Sequence, residues 1–314
     1  MPLTNFPNGI SSMGVPVVGG GAGLGIGNVY FVVQAAQDYS SEFNRMRKTT
    51  YNDGSVNIHT SITSAVDACV SERNDYIVVF PDATDYDEDA TLTLDVNSTH
   101  LICPAGMGNT IGCATRGATI DPSSAANAIT ITGRGVEVAG FWIRCYTEKY
   151  GFYVSASTGS YIHHNDIAVT PTTASAAGVY IRGAAAGTRV ENNFIFTNTS
   201  GTTMAFGIRA ENTCTRTIVR NNWISISSGV TCTYAIMTGE ADVMCIIDGN
   251  IIQEVPVAGG AGAGVITNGI QAGLGSLVSN NTIAMADTGN AIGGGTATNC
   301  VNNISSLDGG TIVQ

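Results

Sequence analysis

A six-residue pattern, V-x-N-N-x-I, returns down the second half of the chain and limits what the chain can fold into. It reads VENNFI from Val190, VRNNWI from Val219, IDGNII from Ile247 and VSNNTI from Val278. Looser copies are VAGFWI from Val138 and IHHNDI from Ile162, and NCVNNI from Asn299 fits only in its second half. Measured at the fourth position, the copies fall at Phe141, Asn165, Asn193, Asn222, Asn250, Asn281 and Asn302, in steps of 24, 28, 29, 28, 31 and 21 residues. A recurring step of this length marks a stack of similar structural units.

A second short apolar run precedes most copies: GFYV at Gly151, GVYI at Gly178, GIRA at Gly207, AIMT at Ala235 and GIQA at Gly269. Its start lies 14, 15, 15, 15 and 12 residues before the Asn that follows. One unit therefore carries a strand, a tight bend at Asn, another strand and a loop of variable length. Asn suits the left-handed backbone of such bends, and Asn side chains stacked in register can bond along the axis. The pattern predicts an all-β protein, a right-handed single-stranded parallel β-helix (a solenoid) with rungs about 4.8 Å apart. Helix-rich α/β folds would need amphipathic helices between strands, and residues 128–304 show no such pattern.

Upstream, SITSAVDACVSER places Ile62, Ala65, Val66, Cys69 and Val70 on one helical face. DYIVVFP at Asp75, TLTLD at Thr91 and THLICP at Thr99 read as strands. The helix is expected to cap the first rung and cover its unpaired edge. Residues 28–314 form one β-helix domain in this reading, preceded by an extended arm over 1–27. The arm is uncharged from Asn5 to Val32, and its glycine run, Gly19 to Gly27, lacks the GxxxxGK[ST] and GxGxxG spacings of nucleotide loops. It reads as flexible or extended backbone.

Strand alternation sorts the side chains. In each copy the Val and Ile point inward and the x positions outward. The first outward column, Ala139, His163, Glu191, Arg220, Asp248 and Ser279, alternates in sign at its centre and reads as a surface ion ladder. The second, Trp142, Asp166, Phe194, Trp223, Ile251 and Thr282, holds both tryptophans of the chain. Three uses fit such a stripe: cover by loops, a subunit interface, or stacking against sugar rings. Tyr153, Tyr180, Arg209, Met237 and Gln271 form a third, weaker column of the same kind.

The chain carries a net charge of −11 and only two lysines, Lys48 and Lys149. It has no basic stripe to displace counterions from nucleic acid, and RMRK at Arg45–Lys48 is too short to supply one. No apolar run reaches the roughly 20 residues that span a bilayer, and the first residues do not read as a signal peptide. The eight cysteines form no CxxC pair, which argues against a zinc site and for buried thiols. Asp85, Asp87 and Asp89 imitate the start of a calcium loop, but its glycine and closing glutamate are missing; no metal or cofactor is expected. Asp166 beside His163 and His164 is the best acid–base candidate, yet it has no evident carboxylate partner.

The opening MPLTNFPNGISSMGVPV resembles the start of tailed-bacteriophage virion proteins, and GNVYFV at Gly27 is similar to the passage into their β-helix bodies. Segment 60–104 resembles the first part of pectate-lyase-like β-helices. The resemblance implies a non-enzymatic virion protein, a capsid decoration or head-fibre type, made in the host bacterial cytoplasm and assembled as a trimer. Asn5, Phe6, Pro7, Asn8, Gly9, Ile10, Val15, Pro16 and Val17 would dock it on the major capsid protein or another virion component. The alternative is a tailspike-like protein that binds or depolymerises host polysaccharide. Trp142, Phe194, Trp223, Ile251, Tyr153 and Tyr180 are the candidates for either subunit contacts or glycan stacking. No tailspike catalytic motif maps onto this chain.

Overall fold

A computed structural model describes residues 10–12, 15–17, 27–34, 57–82, 84–87, 91–107, 117–122, 126–147, 149–171, 176–197, 203–227, 229–239, 241–255, 265–285, 291–294, 299–305 and 311–312. Three parallel sheets run the length of the body, and each full rung adds one strand to each. In a representative rung these are Arg189–Glu191, Phe194–Thr197 and Thr203–Glu211. The molecule is a right-handed parallel β-helix.

The bend between the first and second strands carries the repeat. Its third position has positive φ in every copy: Gly140, His164, Asn192, Asn221, Gly249, Asn280 and Asn302. The fourth position is turned inward and buried. Asn165, Asn193, Asn222, Asn250, Asn281 and Asn303 form a continuous ladder, each of the first five donating from Nδ2 to the Oδ1 of the next at 2.9–3.1 Å. Each Oδ1 beyond the first also accepts the backbone N–H of the preceding Asn, as Asn222 does from Asn193 at 3.0 Å. Each Nδ2 also reaches a main-chain carbonyl, as Asn222 does to Val190 at 2.8 Å. A buried amide is tolerated because its partners are all present.

The last copy shifts by one residue from its expected place. Cys300 pairs with Val278 and Val301 with Ser279, so the copy begins at Cys300 and its ladder residue is Asn303, 22 residues after Asn281. Asn302 is the left-handed position. The sequence NCVNNI hid this because cysteine stands where valine does elsewhere.

The apolar run before each copy forms the third sheet, and its small first residue has a packing reason. A Cβ on Gly178 would lie 2.6 Å from Ile195 Cγ2, and one on Gly151 would lie 2.7 Å from Ile167 Cγ2. The isoleucine that closes a copy thus presses on the glycine of the run that precedes that copy. Valines, isoleucines and the Asn ladder fill the centre, with Val190, Ile195, Ile208, Val219 and Ile224 fully buried.

At the N-terminal end the helix Ile62–Ala68 buries Ile62, Ala65 and Val66 and packs against the first strands. Ser61 caps it by accepting the N–H of Ser64 at 3.2 Å. It is shorter than its pattern suggested. Cys69 is the C-cap, and Val70 is 50% exposed. The turn-out is held by buried Asp75, which accepts from the backbone N–H groups of Val70 and Asn28 and from Arg73. Strands Asp75–Val79, Leu92–Leu94 and Thr99–Ile102 match the upstream expectation. Near the start, Ile10–Ser12 and Val15–Val17 pair as an antiparallel hairpin; Asn5, Phe6, Pro7, Asn8 and Gly9 lie outside the described residues, as do Gly19 to Ile26.

Candidate functional site

Register places the columns read from sequence. Trp142, Asp166, Phe194, Trp223, Ile251 and Thr282 are successive partners on the second sheet. Tyr153, Tyr180, Arg209, Met237 and Gln271 do the same on the third. Exposure within them is uneven: Trp142 is 8% and Tyr180 5% exposed, while Ile251 reaches 45%.

The two columns differ in chemistry. On the third sheet the rings of Tyr150, Tyr153 and Tyr180 meet at 4.6–5.6 Å. Arg209 lies over Tyr180 and Phe206. Glu211 accepts from the Tyr180 hydroxyl and pairs with Arg209 and Arg182. Burial and the hydrogen bond to Glu211 push the Tyr180 phenol up. The hydroxyl of Tyr180 and the carboxylate of Glu211 are thus already engaged within the group.

On the second sheet the contacts are aromatic. Phe194 stacks on Phe196 at 4.8 Å and tilts against Trp223 at 5.0 Å. Trp142 meets Phe196 edge-on at 5.4 Å. The rung between them carries Ala168 beside Phe196, and this small side chain lets rings two rungs apart touch. The result is an unbroken aromatic band across four rungs, three steps of about 4.8 Å. Polar groups flank it: Asp166 within the column, Arg144 at one end, and Gln253, bonded to Ser225, at the other. Phe196 was missed in the sequence reading because it stands one alternation beyond the repeat.

The bend at His164 joins this band to the first sheet. There the expected surface ion ladder is only partly made. Arg220 pairs with Asp248 at 3.3 Å, but Glu191 is buried and bonds to Arg189 of its own strand at 2.8 Å and to Tyr161 at 3.1 Å. His163 and Ser279 are also buried rather than on the surface. Long side chains choose partners two residues away along a strand as readily as across rungs.

The carboxylate that meets the histidine pair is Glu137, from the preceding rung. It bonds His163 Nε2 at 2.7 Å and His100 Nδ1 at 2.5 Å. His163 Nδ1 lies 2.7 Å from His164 Nδ1, and His100 Nε2 faces Asn74 Oδ1 at 2.7 Å. Hydrogen bonds from His100 and His163 hold the Glu137 carboxyl down at about 2. Tyr161 stacks on His163 at 3.9 Å, and Tyr76 on His100 at 4.3 Å. Asp166, the carboxylate nearest in sequence, opens the adjoining second-sheet strand. The true partner was hidden because it comes from 26 residues upstream.

Elsewhere several acidic residues have structural partners. Asp85 and Asp121 both bond Arg144, at 2.6 and 2.8 Å. Buried Asp242 accepts the N–H groups of Cys214 and Gly239. Among the described residues no group of three or more His, Cys, Asp or Glu is placed to hold a metal ion. Burial pushes the thiols of Cys145 and Cys232 up to about 12, and the seven described cysteines are free.

No protein-family model matches the sequence, and no curated protein matches it. Solved structures do. An alginate lyase from Paenibacillus superposes with a TM-score of 0.52 at 12% identity, covering 78% of this chain and 92% of its own. A pectin methylesterase from Aspergillus niger gives 0.47 at 13%, covering 91% and 87%. Pectin methylesterase PemA from Erwinia chrysanthemi gives 0.45 at 11%, covering 85% and 92%. The likeness to the alginate lyase is one of fold: the pectate-lyase-like parallel β-helix.

Proposed function

We propose that this protein is a tailspike-like polysaccharide-binding β-helix that holds an extended glycan along the outer face of its second sheet. The observation that carries the reading is the aromatic band Trp142, Phe196, Phe194 and Trp223. The apolar C–H faces of sugar rings pack on aromatic rings, and polar groups beside the rings bond the hydroxyls. A polymer running along the axis meets the same geometry at each rung. The third-sheet tyrosines are less suited, since Glu211 and Arg209 already occupy their polar edge.

The virion setting rests on the resemblance of residues 1–32, with segment 1–27 as the docking part. The aliphatic residues of the last rungs, where Ile251, Leu277, Val301 and Ile304 are 38–49% exposed, support contact with a partner; assembly as a trimer rests on the same resemblance.

The test is retention of the full chain on immobilised acidic polysaccharides such as alginate and capsular fractions. Replacing both Phe194 and Trp223 with Ala should weaken retention about tenfold or more while circular dichroism keeps its β signature, since each ring is worth about 1 kcal/mol. Equal retention by the double variant would sink the reading.

A further inference from the structure

Seven bends share one backbone, and one of them differs in chemistry. Six carry Gly or Asn at the left-handed position: Gly140, Asn192, Asn221, Gly249, Asn280 and Asn302. The seventh carries His164, with φ 53°. Gly and Asn suit this conformation best, so nothing in the fold asks for an imidazole here. The backbone N–H of His164 bonds the Glu191 carbonyl at 3.3 Å, as Asn192 bonds the Arg220 carbonyl at 3.1 Å. The side chain is the difference. It is exposed, and it ends a chain of contacts running His100, Glu137, His163, His164.

Hydrogen placement follows from the acceptors. His100 faces Glu137 with its Nδ1 and the side-chain oxygen of Asn74 with its Nε2. His163 donates its Nε2 hydrogen to Glu137. Its Nδ1 is an acceptor and takes the Nδ1 hydrogen of His164. What remains is the lone pair on His164 Nε2.

We propose that His164 Nε2 is a general base that hydrolyses ester substituents, such as O-acetyl groups, on the glycan held along the second sheet, with His163 and Glu137 as positioning residues. The proposal rests on the binding reading above and adds a reaction to it. His164 stands two residues before Asp166, whose neighbours across the rungs are Trp142 and Phe194. The bend therefore sits at the margin of the aromatic band.

In the reaction, water oxygen bonds the acyl carbon while His164 Nε2 takes a water proton. The tetrahedral intermediate collapses, the bond from acyl carbon to sugar oxygen breaks, and its electron pair goes to that oxygen. The oxygen then takes the proton back from His164. A carboxylic acid and a free sugar hydroxyl leave, and water is the sole co-reactant. As His164 becomes cationic, its Nδ1 hydrogen bond to His163, itself held by ionised Glu137, orients the ring and stabilises the charge where it forms.

The surroundings fit ester hydrolysis better than bond cleavage in the glycan chain. Hydrolysis of a glycosidic bond needs an acid at the leaving oxygen and a second carboxylate, and Glu137 is held ionised. Elimination from a uronate needs a cation to neutralise its carboxylate. Arg144 beside the band is committed to Asp85 and Asp121, and Arg189 and Arg220 on the first sheet to Glu191 and Asp248. Desolvation above all lowers the His164 imidazole, which favours its free-base form. The other groups facing the cluster are Asn74, Tyr76, Tyr161 and Glu191.

The experiment uses the full chain with O-acetylated alginate and measures released acetate. The wild type should release acetate, and H164N should release it about a hundredfold more slowly. Asn stands at this position in four of the seven copies, so H164N should fold at least as well and keep its retention on the polymer. Nitrogen-15 spectra should show His164 as the Nδ1–H form, and E137Q should move the pH profile of acetate release. No release by a wild type that binds the polymer overturns the catalytic proposal and leaves binding intact. Equal release by H164N, or an Nε2–H form of His164, overturns it as well. Failure of the wild type to bind any glycan is the separate outcome that removes the binding reading.

Discussion

The rungs that carry His100, Glu137, His163 and His164 and the rungs from Asn192 to Asn303 share one backbone and differ in what they turn outward. In the first region the outward positions of the first sheet hold a bonded chain of histidine and glutamate with stacked tyrosines. In the last rungs the same positions include Leu277 and Val301, exposed and aliphatic, beside Asn299 and Ser279. Inward positions change far less: Val, Ile, Asn and Gly recur because each must meet its own copy one rung away. The fold fixes the inside and leaves the outside free, so departures on the outside point to use.

The sharpest way to break this comparison is to attack the inside and the bend of the same rung. Replacing Asn222 with Ala strips partners from Asn193, Asn250 and the Val190 carbonyl. It should cost about 4 kcal/mol in urea unfolding, since each buried polar group left unpaired costs about 1–3 kcal/mol. Asn221, next to it but at the exposed left-handed position, should cost only about 1 kcal/mol when changed to Ala. Equal effects would mean that the ladder does not set the repeat.

A smaller loss is expected at the glycine column. Gly178→Ala drives a methyl to 2.6 Å from Ile195 Cγ2, and overpacking of this kind costs about 1–3 kcal/mol. Trimming the isoleucine in the same molecule, as G178A with Ile195→Val, should recover part of it; a double variant no better than the single one would place the strain elsewhere.

The last effect concerns the outward cluster and appears only with pH. The Glu137 carboxyl is depressed from its ordinary 4.5 to about 2 by its bonds to His100 and His163. A depressed carboxylate lends stability that is complete above its unfolded value and lost as pH falls through the folded one. The wild type should therefore lose stability between about pH 4.5 and 2, and E137Q should lack that part of the slope. Chemical unfolding at pH 5 and pH 3 checks it. Identical slopes would show the cluster to be without energetic weight in folding.

Much of the body was legible because its information is local and repeated. Val190, Asn193 and Ile195 each declare their direction within six residues, and the copies confirm one another. The final copy was misplaced by one because Cys300 and Ser305 stand where Val and Ile stand in the clearest copies. The aromatic column was visible for the same reason the core was, through alternation. Its contacts with Phe196, and the small Ala168 that permits them, were not. The helix was readable to Ala68, but its end is set by Asp75 from the following strand, a tertiary contact.

By itself the sequence determined the solenoid, its rung length, the inward residues and which side chains share an outward column, because strand alternation and a repeat are properties of neighbours along the chain. Only the tertiary structure decided which outward groups meet. Glu137 joins His100 and His163 rather than Asp166 meeting the pair, Glu191 takes Arg189 rather than Arg220, and Tyr180 turns to Glu211. The physical reason is reach. A backbone in register fixes where each Cβ stands, while a long polar side chain can reach several partners and settles on the one whose burial and charge it best satisfies.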